Sequence, residues 1–320
     1  MSRIHEALRK AAEERAANPP AEMPIKPFET TDPTTGAAPV ASPASMSANV
    51  ASATATMAPP AFGPELTVDA LLAKALHQEW KPGSKKLLFM NGNAQESGAE
   101  EFRRLRSNLY QLRNTRELRT VLVTSAIPSE GKSFVTANLA QAITRQRERR
   151  VLVIDADLRL STLHKALGAP QSPGLTDYLR GDVDEVNAIQ RGPIDNLFFI
   201  AGGTPTTNPL ELLGNGRFRK LLDRVTPVFD WVILDSPPML PVSDTSVMAE
   251  HCDGVLLVVR AKMTPFDVIQ KVKKQLGDKK ILGVVLNAVD DRDAYGPNYY
   301  YSGYYGAGKP KSGAVLQDVH

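Results

Sequence analysis

Residues 120–143 read TVLVTSAIPSEGKSFVTANLAQAI, an apolar run, a small-residue loop and a helical pattern in direct succession. A loop that cradles phosphate needs small residues so that backbone N–H groups converge on the polyanion. It also needs a lysine for the outer phosphates and a hydroxyl for Mg²⁺. Gly131, Lys132 and Ser133 supply these, although Ala126 stands where the common pattern has glycine. Strand before and helix after are the context that gives such a loop meaning.

Beyond this stretch, short Val/Ile/Leu runs recur at 151–154, 197–200, 231–234, 255–259 and 281–286, separated by helical patterns. Continuous apolar strands are buried on both faces, and helices between them imply parallel crossovers. The expected fold is therefore α/β, a doubly wound, mostly parallel sheet, with its ligand beyond the carboxyl ends of the strands. Asn208-Pro209-Leu210-Glu211 predicts a helix start with a cap, a first-turn proline and a capping-box glutamate.

Two strands run straight into acid. The 151–154 run leads into Asp155-Ala156-Asp157-Leu158-Arg159, and the 231–234 run into Asp235-Ser236-Pro237-Pro238. Both put carboxylates where the loop's phosphates would lie, which suits Mg²⁺, a hard cation that takes one or two carboxylates near phosphate.

Outside this region the composition changes abruptly. Residues 1–16 predict a short amphipathic helix through Ile4, Leu8, Ala11 and Ala12. Residues 17–64 are Ala, Pro, Ser and Thr, hold ten of the 24 prolines, and predict a disordered linker. A globular domain around the phosphate-binding loop is expected over 65–290 and a flexible Tyr-rich tail over 291–320. Six of the eight tyrosines, Tyr295, Tyr299, Tyr300, Tyr301, Tyr304 and Tyr305, lie in that tail, in a polar, Gly-punctuated segment that cannot be core.

Composition excludes several classes. A net charge of +3 in 320 residues argues against a nucleic-acid-coating protein. One cysteine, Cys252, excludes a disulfide scaffold and a thiolate metal site. No apolar run reaches the ~18 residues of a membrane span, so a cytoplasmic chain is expected.

In the helix that begins near Glu100, Phe102, Leu105, Leu109 and Leu112 form an apolar stripe. Glu100, Arg103 and Arg106 occupy a face centred ~140° away. Spacing alone reads that face as solvated.

The loop TSAIPSEGKS, the motifs VLVIDADLR and VILDSPP, the helix EEFRRLRSNL and the tyrosine tail together resemble the bacterial tyrosine kinases (BY-kinases), over about residues 98–305. The first three motifs are shared more loosely with partition and septum-site ATPases, so the resemblance implies a P-loop NTPase (partition-ATPase-like) architecture. The septum-site group carries an extra lysine early in the loop, and none occurs between Thr124 and Glu130. The resemblance implies a protein-tyrosine autokinase of exopolysaccharide or capsule systems, using ATP and Mg²⁺. Its alternatives are a positioning ATPase without kinase activity and an inactive nucleotide-binding scaffold.

Carried over by position, Pro128, Ser129, Glu130, Gly131, Lys132, Ser133 and Phe134 would contact the nucleotide, with Asn287 at its base. Ser133, Asp155 and Asp235 would hold the metal. Lys132, Asp155 and Asp157 would be catalytic, Asp155 as candidate base with Asp157 in support. The tail tyrosines would be phosphorylated in trans. Glu100, Arg103 and Arg106 would contact the next subunit of a ring, an octamer in the family, which tail phosphorylation would loosen. The implied partners are a separate transmembrane chain-length determinant (co-polymerase) that activates the kinase at the inner membrane, and a cognate tyrosine phosphatase. The helix 1–16 on its linker is expected to help dock that activator.

Overall fold

The computed structural model describes residues 66–81, 87–89, 97–146, 148–277 and 280–289. The expected helix 1–16, linker 17–64 and tail 291–320 lie outside the described residues.

The six apolar runs become strands of one sheet, which also takes in two short strands that no apolar run marks. In chain order these are β1 (Leu76–His77), β2 (Thr120–Ser125), β3 (Val151–Asp155), β4 (Gln190–Arg191), β5 (Leu197–Ile200), β6 (Trp231–Asp235), β7 (Gly254–Arg260) and β8 (Ile281–Asn287). Their spatial order is β1-β4-β5-β3-β6-β2-β7-β8. Among the described residues, only the β4–β5 pair is antiparallel. The chain leaves β2 to one side, through α3 (Lys132–Thr144) to β3, and leaves β6 to the other, through α9 (Asp244–Glu250) to β7. Crossovers in opposite directions make the sheet doubly wound.

Alternation of side chains builds two cores. Leu122, Leu152, Ile154, Val232 and Leu234 face a layer that includes α5 (Leu175–Arg180), α7 (Pro209–Gly214) and α8 (Arg217–Val225). Val121, Val123, Val151, Val153, Trp231 and Ile233 face α3 and α2 (Ser97–Arg113). Helix α3 is buried nearly all round because α2 covers its outer side, and Phe102 meets Phe134 edge-on at 5.9 Å.

The α7 start lies where the 208–211 quartet places it, with Pro209 in the first turn. The cap is realised differently, however. Asn208 makes no side-chain bond to the helix amides and instead donates Nδ2–H to Glu211 Oε2 at 3.2 Å.

Residues 66–81 and 87–89 join the globular unit in a way no motif announces. Helix α1 (Val68–Lys74) leads into β1, which extends the sheet beside β4. Trp80 packs edge-on against Phe199 at 6.0 Å. The Leu88 N–H donates to Asn138 Oδ1 of α3 at 2.8 Å, and Arg145 bonds the Phe89 carbonyl. The remaining elements are the short helices α4 (Leu163–Leu167) and α6 (Glu185–Ala188), and α10 (Phe266–Leu276) beside β7.

Candidate active site

Strand pairing brings the two acidic motifs together. β3 and β6 are parallel neighbours, and Asp155 and Asp235 are register partners at their carboxyl ends. Adjacent strands lie about 4.8 Å apart, so the two carboxylates share one rim. β2 lies on the other side of β6, and the loop 126–131 leaves its end to start α3.

The loop is shaped by its backbone. Gly131, at φ 95°, caps α3 without any side chain bonding the first-turn amides, and that turn holds no acidic residue. The unspent N–H groups of a helix start are a ready anion site. Lys132 is 8% exposed there. Asp235, 1% exposed, is close enough to feel its charge. Burial pushes Asp235 up to about 6, against the Ser133 hydrogen bond and the Lys132 charge. Thr136 Oγ1 donates to Asp235 Oδ1 at 3.3 Å.

Asp155 is fully buried. Burial first, and the Asp235 carboxylate second, push it up to about 8. Asp157 is half-buried, and its Oδ1 accepts from Leu160 N–H at 3.0 Å, holding the turn that follows the motif.

Mg²⁺ fits the donor set: the Ser133 hydroxyl and the two carboxylates are hard oxygens, and Asp155 Oδ1 is buried without a hydrogen-bond partner. No group of three or more His, Cys, Asp or Glu side chains forms a metal cage among the described residues. A cation held partly by nucleotide phosphates and water needs none.

Residues 121–298, more than half of the chain, match the CobQ/CobB/MinD/ParA nucleotide-binding domain family. The tyrosine-protein kinase YwqD of Bacillus subtilis is 34% identical over 191 residues, 59% of this chain and 80% of that protein. The chain belongs to the bacterial tyrosine kinase family. The kinase domain of the Escherichia coli tyrosine kinase ETK superposes with a TM-score of 0.62 at 33% identity, covering 69% of this chain and 89% of that one. A putative tyrosine-protein kinase of Ralstonia nicotianae, EpsB, is 38% identical over 207 residues, 64% of this chain and 27% of that protein. The chain thus spans about a quarter of that BY-kinase relative.

Within this BY-kinase domain the sequence motifs account for Lys132, Ser133, Asp155 and Asp235. Their supports come from far along the chain. Glu130 is fully buried, and its carboxylate accepts from Ile127 N–H at 2.8 Å, from Arg260 N–H at 3.2 Å and from the Thr264 hydroxyl. It ties the loop to the end of β7. Arg260 adds a bond from Nη1 to Ser129 O at 3.2 Å. The Asn287 amide donates to Glu130 O at 2.8 Å, placing this residue against the loop backbone. Phe134 turns its ring into the α2 contact. Arg159 pairs with buried Asp244, Nε to Oδ2 at 2.7 Å and Nη2 to Oδ1 at 3.0 Å, linking the second motif to the start of α9.

Glu130→Ala strands three donors at once, each bond to a charged group being worth about 1.5–3 kcal/mol. The expected outcome is a melting temperature lowered by several degrees and weaker nucleotide binding, read by thermal denaturation and nucleotide titration.

On the outer helix face, Arg103 Nη1 pairs with Glu100 Oε2 at 2.8 Å, while Arg106 Nη1 donates to Ala142 O at 2.7 Å. Arg106 therefore also anchors α2 to the end of α3. Among the described residues, no helix is long and apolar enough to cross a membrane.

Proposed function

We propose that this chain is an ATP- and Mg²⁺-dependent protein-tyrosine autokinase that phosphorylates Tyr295, Tyr299, Tyr300, Tyr301, Tyr304 and Tyr305 of a second copy, and so regulates exopolysaccharide or capsule polymerisation and export. One observation carries this reading. Two buried carboxylates stand in register beside a lysine and a hydroxyl at a helix start that has no side-chain cap.

The amides of Gly131, Lys132 and Ser133 would bind the phosphates, with the Lys132 ammonium on the outer ones. Bound Mg²⁺ supplies charge that neutralises the transferring phosphoryl group. Asp155 would accept the phenol proton as the phenol oxygen bonds phosphorus and ADP leaves. A phenol has a pKa near 10, so a carboxylate that takes its proton late in the transfer is sufficient. Asp157 would shape the turn beside it, and Asp235 would hold the metal through water. Asn287 would support the loop while it borders the base.

In this reading Glu100, Arg103 and Arg106 contribute to a ring that delivers each tail to a neighbouring site, and a membrane-spanning activator recruits the kinase to the inner membrane. A cognate phosphatase would reset it.

The test is phosphopeptide mapping after incubation with Mg²⁺-ATP. Phosphotyrosine is expected within 295–305, and a variant with those six tyrosines changed to phenylalanine should lose it. ATP turnover with no phosphotyrosine in the wild type would instead leave a positioning ATPase.

A further inference from the structure

The fold treats the two oxygens of Asp155 differently. Oδ2 accepts from Ser161 Oγ at 2.8 Å and from Leu163 N–H at 3.1 Å. Oδ1 is equally buried and has no hydrogen-bond partner. Carboxylate torsion is broad and roughly two-fold, so it is these donors that decide which oxygen is left over.

Ser161 is itself held in place from two directions. His164 Nδ1 lies 3.3 Å from its hydroxyl. The Gly202 backbone is so near that a Cβ there would sit 2.5 Å from Ser161 Oγ and 2.6 Å from its Cβ. A serine hydroxyl has one proton to give. Given to Asp155, it leaves Ser161 Oγ as an acceptor, and the His164 contact then requires an Nδ1–H donor. The hydrogen bonds run one way, from His164 to Ser161 to Asp155.

Resting on the kinase reading above, we infer that Ser161 is a positioning residue: clamped by His164 and Gly202, it pins Asp155 Oδ2 so that Oδ1 alone is presented to the metal and the reacting phosphoryl group. Leu163 N–H donates to the same oxygen, so two donors from different directions fix the carboxylate's rotation where one would allow it to turn about a single bond. Gly202 matters because any side chain there displaces the hydroxyl. Ser161→Ala and Gly202→Ala thus remove the same bond by independent routes.

The full chain is assayed as wild type, Ser161→Ala, Gly202→Ala and the double variant, with Lys132→Met as control. Three quantities are read: kcat, KM for ATP, and the Mg²⁺ midpoint for binding of a fluorescent ATP analogue. Loss of a group that orients a ligand-bearing residue typically costs about 10- to 100-fold. Each single variant is expected to raise the Mg²⁺ midpoint and lower kcat about tenfold, with KM for ATP within about twofold and the double variant short of the product of the two single effects, since the shared bond can be lost only once. A serine that only stabilises the fold would lower the active fraction without moving the Mg²⁺ midpoint, and an unmoved midpoint in both single variants overturns the inference. If Lys132→Met matches the wild type in phosphotyrosine formation, the kinase reading fails instead, and the Mg²⁺ midpoint still judges Ser161.

Discussion

Exchanging Asp155 for asparagine is expected to cut phosphotyrosine formation by about 10²- to 10⁴-fold, the range that positioned proton transfer contributes, while making the unliganded protein more stable at pH 8. Both effects follow from the same burial. Asp155 is raised from 3.8 to about 8, by burial and then by Asp235, and Asp235 is raised to about 6. Between 3.8 and those values the folded chain binds more protons than the unfolded one, so stability present in acid is lost as the pH rises through this window. One carboxyl can contribute at most about 1.4 kcal/mol per pH unit. Between pH 6 and 8 a loss of about 2 kcal/mol from Asp155 is expected, or about 4–8 °C in melting temperature for a domain of this size. Asparagine keeps the shape and an acceptor for Ser161 but cannot ionise, so Asp155→Asn should melt higher than wild type at pH 8 and lose the slope. The measurement is thermal denaturation in chelator without nucleotide, at pH 6 and 8, beside a phosphotyrosine assay. A variant that melts lower at pH 8 and still phosphorylates would contradict both the buried charge and its role. Asp235→Asn should show the same sign in a lower window, ending near 6.

What sequence could and could not reveal divides along a physical line. A strand buried on both faces writes its own signature, so β2, β3, β5, β6 and β7 were legible, and with them the rim where Asp155 and Asp235 meet. β8 was also legible from its apolar run, but it lies half-exposed at the sheet's edge, with Val284 and Leu286 turned to solvent, and is not buried on both faces. β1 and β4 have two residues each and carry no period at all. Their place depends on Trp80 reaching Phe199, a contact no local pattern encodes. The functional motifs behaved likewise. Lys132 and Ser133 are local to their loop, whereas the partners of Glu130 stand at Arg260 and Thr264, and those of Arg159 at Asp244. Spacing that marks Arg106 as surface does not show its bond to the α3 carbonyl of Ala142. Ser161 fell just past the end of the second motif, and its meaning depends on Gly202 after β5.

Gly131→Ala carries the other large effect, because two separate constraints meet at that Cα. Its φ of 95° is left-handed, which costs an L-residue about 1–2 kcal/mol. A Cβ would also fall 2.0 Å from Asn287 Nδ2 and 3.3 Å from its Cγ. The amide must then swing away, giving up its bond to Glu130 O, which adds about 1 kcal/mol or more. Together these predict a loss of about 3 kcal/mol and a melting temperature lowered by about 6–12 °C. Since Gly131 also starts α3, the loop amides shift from the phosphates, and nucleotide affinity should fall at least about tenfold for a loss of 1.4 kcal/mol in binding. Asn287→Ala alone removes the loop bond without the clash and should cost about 1 kcal/mol. The combination of Gly131→Ala with Asn287→Ala separates the two constraints. With the carboxamide gone the clash disappears but the backbone strain stays, so the double variant should be less destabilised than the sum of the singles. Additive losses would mean that the two residues do not touch in solution, and the close packing of β8 against the phosphate loop would have to be abandoned.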